Sequence, residues 1–260
     1  MSDPFAPLLE EIVVLARRAG EAIMGHYRAH CAAPVMPDRK ADGSPVTIAD
    51  HASEAVLLET LRRLTPDIPI LSEEQAAKGV KTDLSGGTYW CVDPLDGTKE
   101  YVNRTDEFTI CVAGMRDYRP VFGVLHAPAL GLTFAGSSAA GARRFESNGK
   151  SAAIAARPAP KQPVALLSRS HGGGGKEDQF LAQEGVGEKR AMGSAVKFGL
   201  IAAGEADLYV RCGPTCEWDT AAGQAVLEAA GGRVLGLDGT VLSYGKPDFL
   251  NAGFVARGKN

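Results

Sequence analysis

The chain has 260 residues and a mass of 27.2 kDa, with 45% apolar, 23% charged and 7% aromatic residues, which excludes a disordered tail, a collagen-like rod and a disulfide-stapled miniprotein. The net charge is -3 with a pI near 6.0 and no basic stripe, which argues against a nucleic-acid polymer as partner, because phosphate contacts dominate that affinity. The five cysteines are odd in number and contain no Cys-x-x-Cys, the pattern of reduced thiols in a cytoplasmic protein.

Acids and arginines interrupt the amino-terminal residues where a signal peptide needs an unbroken apolar core. No stretch approaches the roughly 18 apolar residues that span a bilayer. The expectation is a cytoplasmic protein, at most peripheral to the inner membrane. Leu8, Ile12, Leu15, Ala19 and Ile23 recur at helical spacing, predicting an amphipathic helix over 5–28. A turn-rich stretch, 34–45, leads to a second helix over 50–64, with Ala52, Val56, Leu57 and Leu61 on its apolar face. Segments 68–71, 89–92, 108–115, 121–126 and 132–135 read as short strands, with a hairpin turn at 117–120. Together they predict an antiparallel sheet after two helices.

Three prolines in 156–163 mark a linker. Beyond it, strands at 164–167, 206–210 and 232–235 alternate with helices from about 176, over 193–203 and over 218–230. The fold class is thus mixed: an α+β half over 1–155 and an α/β half over 156–260. The glycine run 172–175 reads as a flexible linker.

The strongest chemical signal is Asp93-Pro94-Leu95-Asp96-Gly97-Thr98. Two carboxylates three residues apart close an apolar strand. Pro94 restricts the backbone and Gly97 frees it, so both acids can converge on a hard divalent cation such as Mg²⁺. A helix starting at Thr98 would turn N–H groups toward an anion. Acidic turns are common, so the motif gains weight from its company. Glu73-Glu74 follows a strand, and Asp50 and Asp219 stand at helix starts, where either alone would pass for a cap. On an extended chain Glu74 would point away from Glu73.

In this order, Asp50, Glu73-Glu74, the Asp93 to Thr98 motif and Trp218-Asp219-Thr220-Ala221-Ala222 resemble the lithium-sensitive, Mg²⁺-dependent phosphatase family. That family includes inositol monophosphatases, fructose-1,6-bisphosphatases and 3'(2'),5'-bisphosphate nucleotidases. The resemblance runs from about Lys40 to Phe254 and implies a five-layered αβαβα sandwich. It implies two or three Mg²⁺ ions per site. Glu73, Asp93 and the Leu95 carbonyl would hold the first, and Asp93, Asp96 and Asp219 the second; a third, weaker ion would sit near Glu73. It also implies that Thr98, paired with Asp50, orients and deprotonates an activated water, with Glu73 sharing in catalysis.

The motif continues as Lys99-Glu100-Tyr101, which resembles the bisphosphate nucleotidases more than the inositol monophosphatases, with Tyr in place of the usual Phe. Arg211 stands where inositol monophosphatases usually carry a glutamate, and a guanidinium suits a second phosphate. Ser168-Arg169-Ser170-His171 and the segment 193–198 resemble nucleotide-holding segments. The resemblance is therefore closest to bacterial 3'(2'),5'-bisphosphate nucleotidases of the CysQ type. It implies removal of the 3'-phosphate from adenosine 3',5'-bisphosphate, giving AMP and phosphate. Expected substrate contacts are Glu73, Leu95, Asp96, Gly97, Thr98, Ser168, His171, Ser194, Lys197, Arg211 and Asp219. Three alternatives stay open: an inositol or sugar monophosphatase, a binding protein without turnover, and a zinc hydrolase. The last would use His26 and His30, which lack the glutamate of a His-Glu-x-x-His motif. Monomer and homodimer are equally compatible with the sequence.

Overall fold

The computed structural model describes residues 3–29, 37–40, 43–169 and 175–259. His30, Cys31, the 34–36 and 41–42 parts of the turn-rich stretch, Ser170, His171 and the glycines 172–174 lie outside the described residues.

A 3-10 turn (Ala6–Leu8) leads into α1 (Leu9–Ala29), and a small hairpin of β1 (Asp38–Arg39) and β2 (Pro45–Val46) leads into α2 (Ile48–Leu64). Then come β3 (Ile70–Ser72), α3 (Glu73–Ala77), β4 (Tyr89–Asp96), α4 (Thr98–Val102) and β5 (Thr109–Arg116). The first half closes with β6 (Arg119–Ala127), β7 (Leu132–Ser137), β8 (Gly141–Glu146) and β9 (Ser151–Ile154). After the proline-rich stretch follow β10 (Val164–Ser168), α5 (Gly175–Gln183), β11 (Glu188–Met192), α6 (Val196–Ala202) and β12 (Leu208–Arg211). The chain ends with β13 (Thr215–Cys216), α7 (Glu217–Ala229), β14 (Arg233–Gly236), β15 (Leu250–Asn251) and β16 (Phe254–Arg257). Among the described residues no helix is long and apolar enough to cross a membrane.

Strands β3 to β9 form one sheet in chain order, and the second large sheet runs β11-β10-β12-β16-β14. The first sheet is buried on both faces, and strand alternation shows it. On β5, Ile110 and Val112 face a core shared with α1 and α2, while Cys111, Ala113 and Met115 face a core shared with α6 and α7. That second core continues onto Tyr209, Phe254 and Ala256 of the second sheet. The far face of the second sheet packs Leu181 of α5 against Ala165, Leu208, Val210 and Val255. The layers therefore read α1/α2, sheet, α6/α7, sheet, α5: an αβαβα sandwich. At Gly123 of β6 an added Cβ would lie 2.3 Å from the Ala222 carbonyl oxygen, so only glycine lets α7 approach this closely.

The structure corrects several local expectations. The first sheet is not wholly antiparallel, because β3 pairs with β4 in parallel. The inward face of α2 centres on Ser53, Leu57, Leu58 and Leu61, whereas Ala52 and Val56 are half-buried. Ser53 and Glu54 turn inward because each has a partner: Ser53 donates to the Pro94 carbonyl at 2.7 Å, and Glu54 accepts from Ser72 at 2.5 Å. Strands β8, β9 and β11 carry too few buried apolar side chains to read as strands from alternation. β9 and β11 are edge strands and β8 is next to an edge, where exposed side chains are tolerated. The helix expected from 193 starts only at Val196, because Ser194 sits at φ 47°.

Candidate active site

The β4–β5 ladder runs to the Asp93–Cys111 pair, slips, and resumes at Asp96–Thr109. The slip lets the chain bend within one strand. Asp93 accepts from the Leu95 amide at 2.9 Å. Gly97 takes φ 92°, and a Cβ there would lie 3.2 Å from the Glu107 carbonyl oxygen and 3.3 Å from Ser194 Cβ. This position therefore requires glycine twice over. α4 starts directly after, at Thr98. The Thr98 hydroxyl lies 3.2 Å from Asp50 Oδ1 and 3.3 Å from the Leu95 carbonyl oxygen.

Helices α2 and α7 deliver the other two aspartates by the same device. Each acid is the third helical residue of a capping box, not the cap itself. Asp50 Oδ2 accepts from the Thr47 amide at 2.7 Å and the Thr47 hydroxyl at 2.6 Å. Asp219 Oδ2 accepts from the Cys216 amide at 2.8 Å. One oxygen of each carboxylate closes the cap and the other is left for the site.

Asp93, Asp96 and Asp219 each offer a carboxylate oxygen, and the three lie within 4.8 Å of one another. Burial raises the pKa of all three, and mutual repulsion adds to it at Asp93 and Asp219. One buried and two half-buried oxygen-only ligands that repel one another fit a hard divalent cation. Among the described residues no histidine or cysteine joins such a cluster; His30, half of the zinc alternative, lies outside them.

The Glu73-Glu74 pair corrects the extended-chain reading. α3 begins at Glu73, and both carboxylates reach one cation, Lys40 Nζ, at 2.6 Å each. Burial pushes Glu73 up to about 7 against the pull of Lys40. Glu73 also lies close enough to Asp93 for each carboxyl to shift the other's protonation, which joins it to the trio. Sequence reasoning missed Lys40 as a site residue. It sits in the turn-rich stretch beside Arg39, and no spacing ties it to residues 33 and 34 positions away.

A pocket of about 320 Å³ opens over this floor. Glu73, Asp96, Gly97, Thr98, Ser168, Ser194, Lys197, Arg211 and Asp219 all line it, with Tyr209 and Phe254. Asp50, Asp93 and the Leu95 side chain lie behind the lining, and His171 lies outside the described residues. Lys197 is 1% exposed; its Nζ donates to the Met192 and Ser194 carbonyls at 3.0 and 2.6 Å and lies 4.6 Å over the Tyr209 ring. Burial lowers its pKa to about 8. Arg211 is 8% exposed, and among the described residues only its Nη2 finds an acceptor, the Pro214 carbonyl at 3.4 Å. Among the described residues its Nε and Nη1 are buried without a hydrogen-bond partner. A buried guanidinium with idle donors is costly unless a ligand meets them.

The raised carboxyl values fix how stability depends on pH. Glu73 titrates near 7 in the folded chain, against about 4.3 for a free glutamate. The metal-free folded state therefore binds more protons than the unfolded one, and stability is lost as pH rises through the folded value. Buried His126, held down to about 4, works the other way below its free value near 6.5, so the melting temperature without divalent cation should fall between about pH 6.5 and pH 8, and Mg²⁺ should raise it more at the higher pH. A metal-free melting temperature that climbs over this range would contradict the assignment.

Comparison with known proteins finds relatives over nearly the whole chain. The sequence model of the inositol monophosphatase family matches residues 6–259. The 3'(2'),5'-bisphosphate nucleotidase CysQ of Salmonella typhimurium is 45% identical over 252 residues, covering 95% of this chain and 98% of that protein. The protein of the same name from Escherichia coli K12 is 42% identical over 248 residues, with 95% and 98% covered. Among solved structures, CysQ from Bacteroides thetaiotaomicron aligns with a TM-score of 0.81 at 33% identity, covering 95% of each chain. An inositol monophosphatase from Anabaena aligns at 0.77 and 26% identity, covering 99% of this chain and 92% of that one.

Proposed function

Because the chain belongs to the inositol monophosphatase family, we propose that it is a Mg²⁺-dependent 3'(2'),5'-bisphosphate nucleotidase. It removes the 3'-phosphate of adenosine 3',5'-bisphosphate to give AMP and phosphate. The observation that carries the reading is the pairing, in one pocket, of a carboxylate floor with Arg211. The floor suits the phosphate that is cleaved. The idle Nε and Nη1 of Arg211 suit a second phosphate that is only held.

Glu73, Asp93, Asp96, Asp219 and the Leu95 carbonyl would hold two or three Mg²⁺ ions, which supply positive charge at phosphorus and acidify water. The chain itself positions the nucleophile. Thr47 occupies Oδ2 of Asp50, so Oδ1 is the oxygen left for Thr98. With its proton given to Asp50, the Thr98 hydroxyl turns lone pairs to the pocket, where they accept a proton from the attacking water. The buried charges of Lys197 and Arg211 attract the anionic substrate. Gly97, Ser168 and Ser194 shape the wall beside it; His171, outside the described residues, keeps its assignment as a substrate contact. In this reading 1–155 carries most of the cation ligands, and 156–260 carries the nucleotide wall and Asp219. A cytoplasmic place belongs to the same reading.

The test compares kcat/KM for adenosine 3',5'-bisphosphate and inositol 1-phosphate with Mg²⁺ present. The nucleotide should lead by at least about tenfold, the worth of one charge-assisted contact. A lead for the inositol ester would keep a phosphomonoesterase and replace the substrate.

A further inference from the structure

One ion pair at the pocket rim lies outside the cation site. Arg169, at the end of β10, meets Glu107, just before β5, with a two-point fork: Nε to Oε2 at 2.8 Å and Nη2 to Oε1 at 2.6 Å. The same Oε2 accepts the Gly193 amide at 2.8 Å, and Arg169 Nη2 also reaches the Ala191 carbonyl at 3.3 Å. One carboxylate thus ties together the loop before β5, the end of β10 and the end of β11.

What it ties down is the turn that builds one pocket wall. After Gly193 the chain passes through Ser194 at φ 47°, a region that a non-glycine residue holds only when its surroundings impose it. The Ala195 amide then donates to Asp96 Oδ2, while the Ser194 and Met192 carbonyls hold Lys197. There is no slack: a Cβ at Gly193 would lie 2.5 Å from Glu100 Cγ and 2.7 Å from the Glu107 carbonyl oxygen. Ser168 and Ser194, on either side of the fork, both line the pocket. Arg169 is 42% exposed, and a rim ion pair adds little to global stability. Its directional bonds are what the turn uses.

We propose that Glu107 and Arg169 form a positioning latch, which holds the Ser168 and Ser194 wall at the distance from Asp96 that the nucleoside part of the substrate requires. The effect on substrate choice rests on the bisphosphate nucleotide reading; the ordering of the turn does not.

The variants are Glu107→Gln, which keeps an acceptor for Gly193 but drops the charge, and Arg169→Gln, which drops the fork. Each should raise KM for adenosine 3',5'-bisphosphate about tenfold, the scale of a lost charged hydrogen bond. kcat on p-nitrophenyl phosphate, which has no nucleoside to place, should fall less than about threefold, as for other rim ion pairs. The double variant should be no worse than either single one, because the two residues act as a unit. Independently of substrate, amide hydrogen exchange at Gly193 and Ala195 should speed up in both variants. Unchanged exchange overturns the latch, and so does an equal loss on both esters, which would mark a general effect on the cation site. If the wild-type chain ignores the nucleotide yet cleaves p-nitrophenyl phosphate, the substrate reading fails alone, and exchange still decides the latch.

Discussion

Asp96→Asn lowers kcat on adenosine 3',5'-bisphosphate by about 10³-fold or more, because charge stabilisation by a bound cation is worth several kcal/mol at the transition state. The fold should survive. Asparagine keeps an acceptor for the Ala195 amide and the Thr109 hydroxyl, the two donors Asp96 serves. The metal-free protein should melt no lower than wild type, since the change relieves one of three crowded, mutually repelling carboxyls. The Mg²⁺-induced rise in melting temperature should shrink. Paired kinetics and melting curves separate these effects. Wild-type turnover in the purified variant would remove Asp96 from the cation site.

The second large effect concerns choice of substrate. Arg211→Glu should lower kcat/KM for the bisphosphate nucleotide by about 10- to 100-fold, the range for a lost charge-assisted bond plus a new repulsion. The loss on inositol 1-phosphate should stay within about threefold, because that ester brings no second phosphate to this wall. The physical basis is the pair of donors that Arg211 leaves idle in the pocket. Equal losses on the two substrates would show that Arg211 does not select between them.

How much of this was legible in the sequence varies with the range of the interactions. Helix α1 and strands β5 and β6 announce themselves through local periodicity, since burial imposes it. The Asp93 to Thr98 motif is equally local: strand, bend, left-handed glycine and helix start follow from six consecutive residues. Its convergence with Asp50 and Asp219 is not. Each of those reads as a helix cap, and each does close a cap; only the tertiary fold turns its second oxygen inward. Lys40 shows the limit more sharply, since nothing near it in sequence announces two glutamates more than thirty residues on. The Glu107–Arg169 fork spans 62 positions and was invisible for the same reason. Edge strands such as β11 stayed hidden because solvent, not a core, dictates their side chains.

The most direct test of the central claim is to incubate the purified chain with adenosine 3',5'-bisphosphate, with Mg²⁺ and then with EDTA, and to identify the products by ³¹P NMR. The account predicts one phosphate per nucleotide and 5'-AMP with Mg²⁺, and neither with EDTA. Release of the 5'-phosphate, or turnover that persists in EDTA, would contradict it.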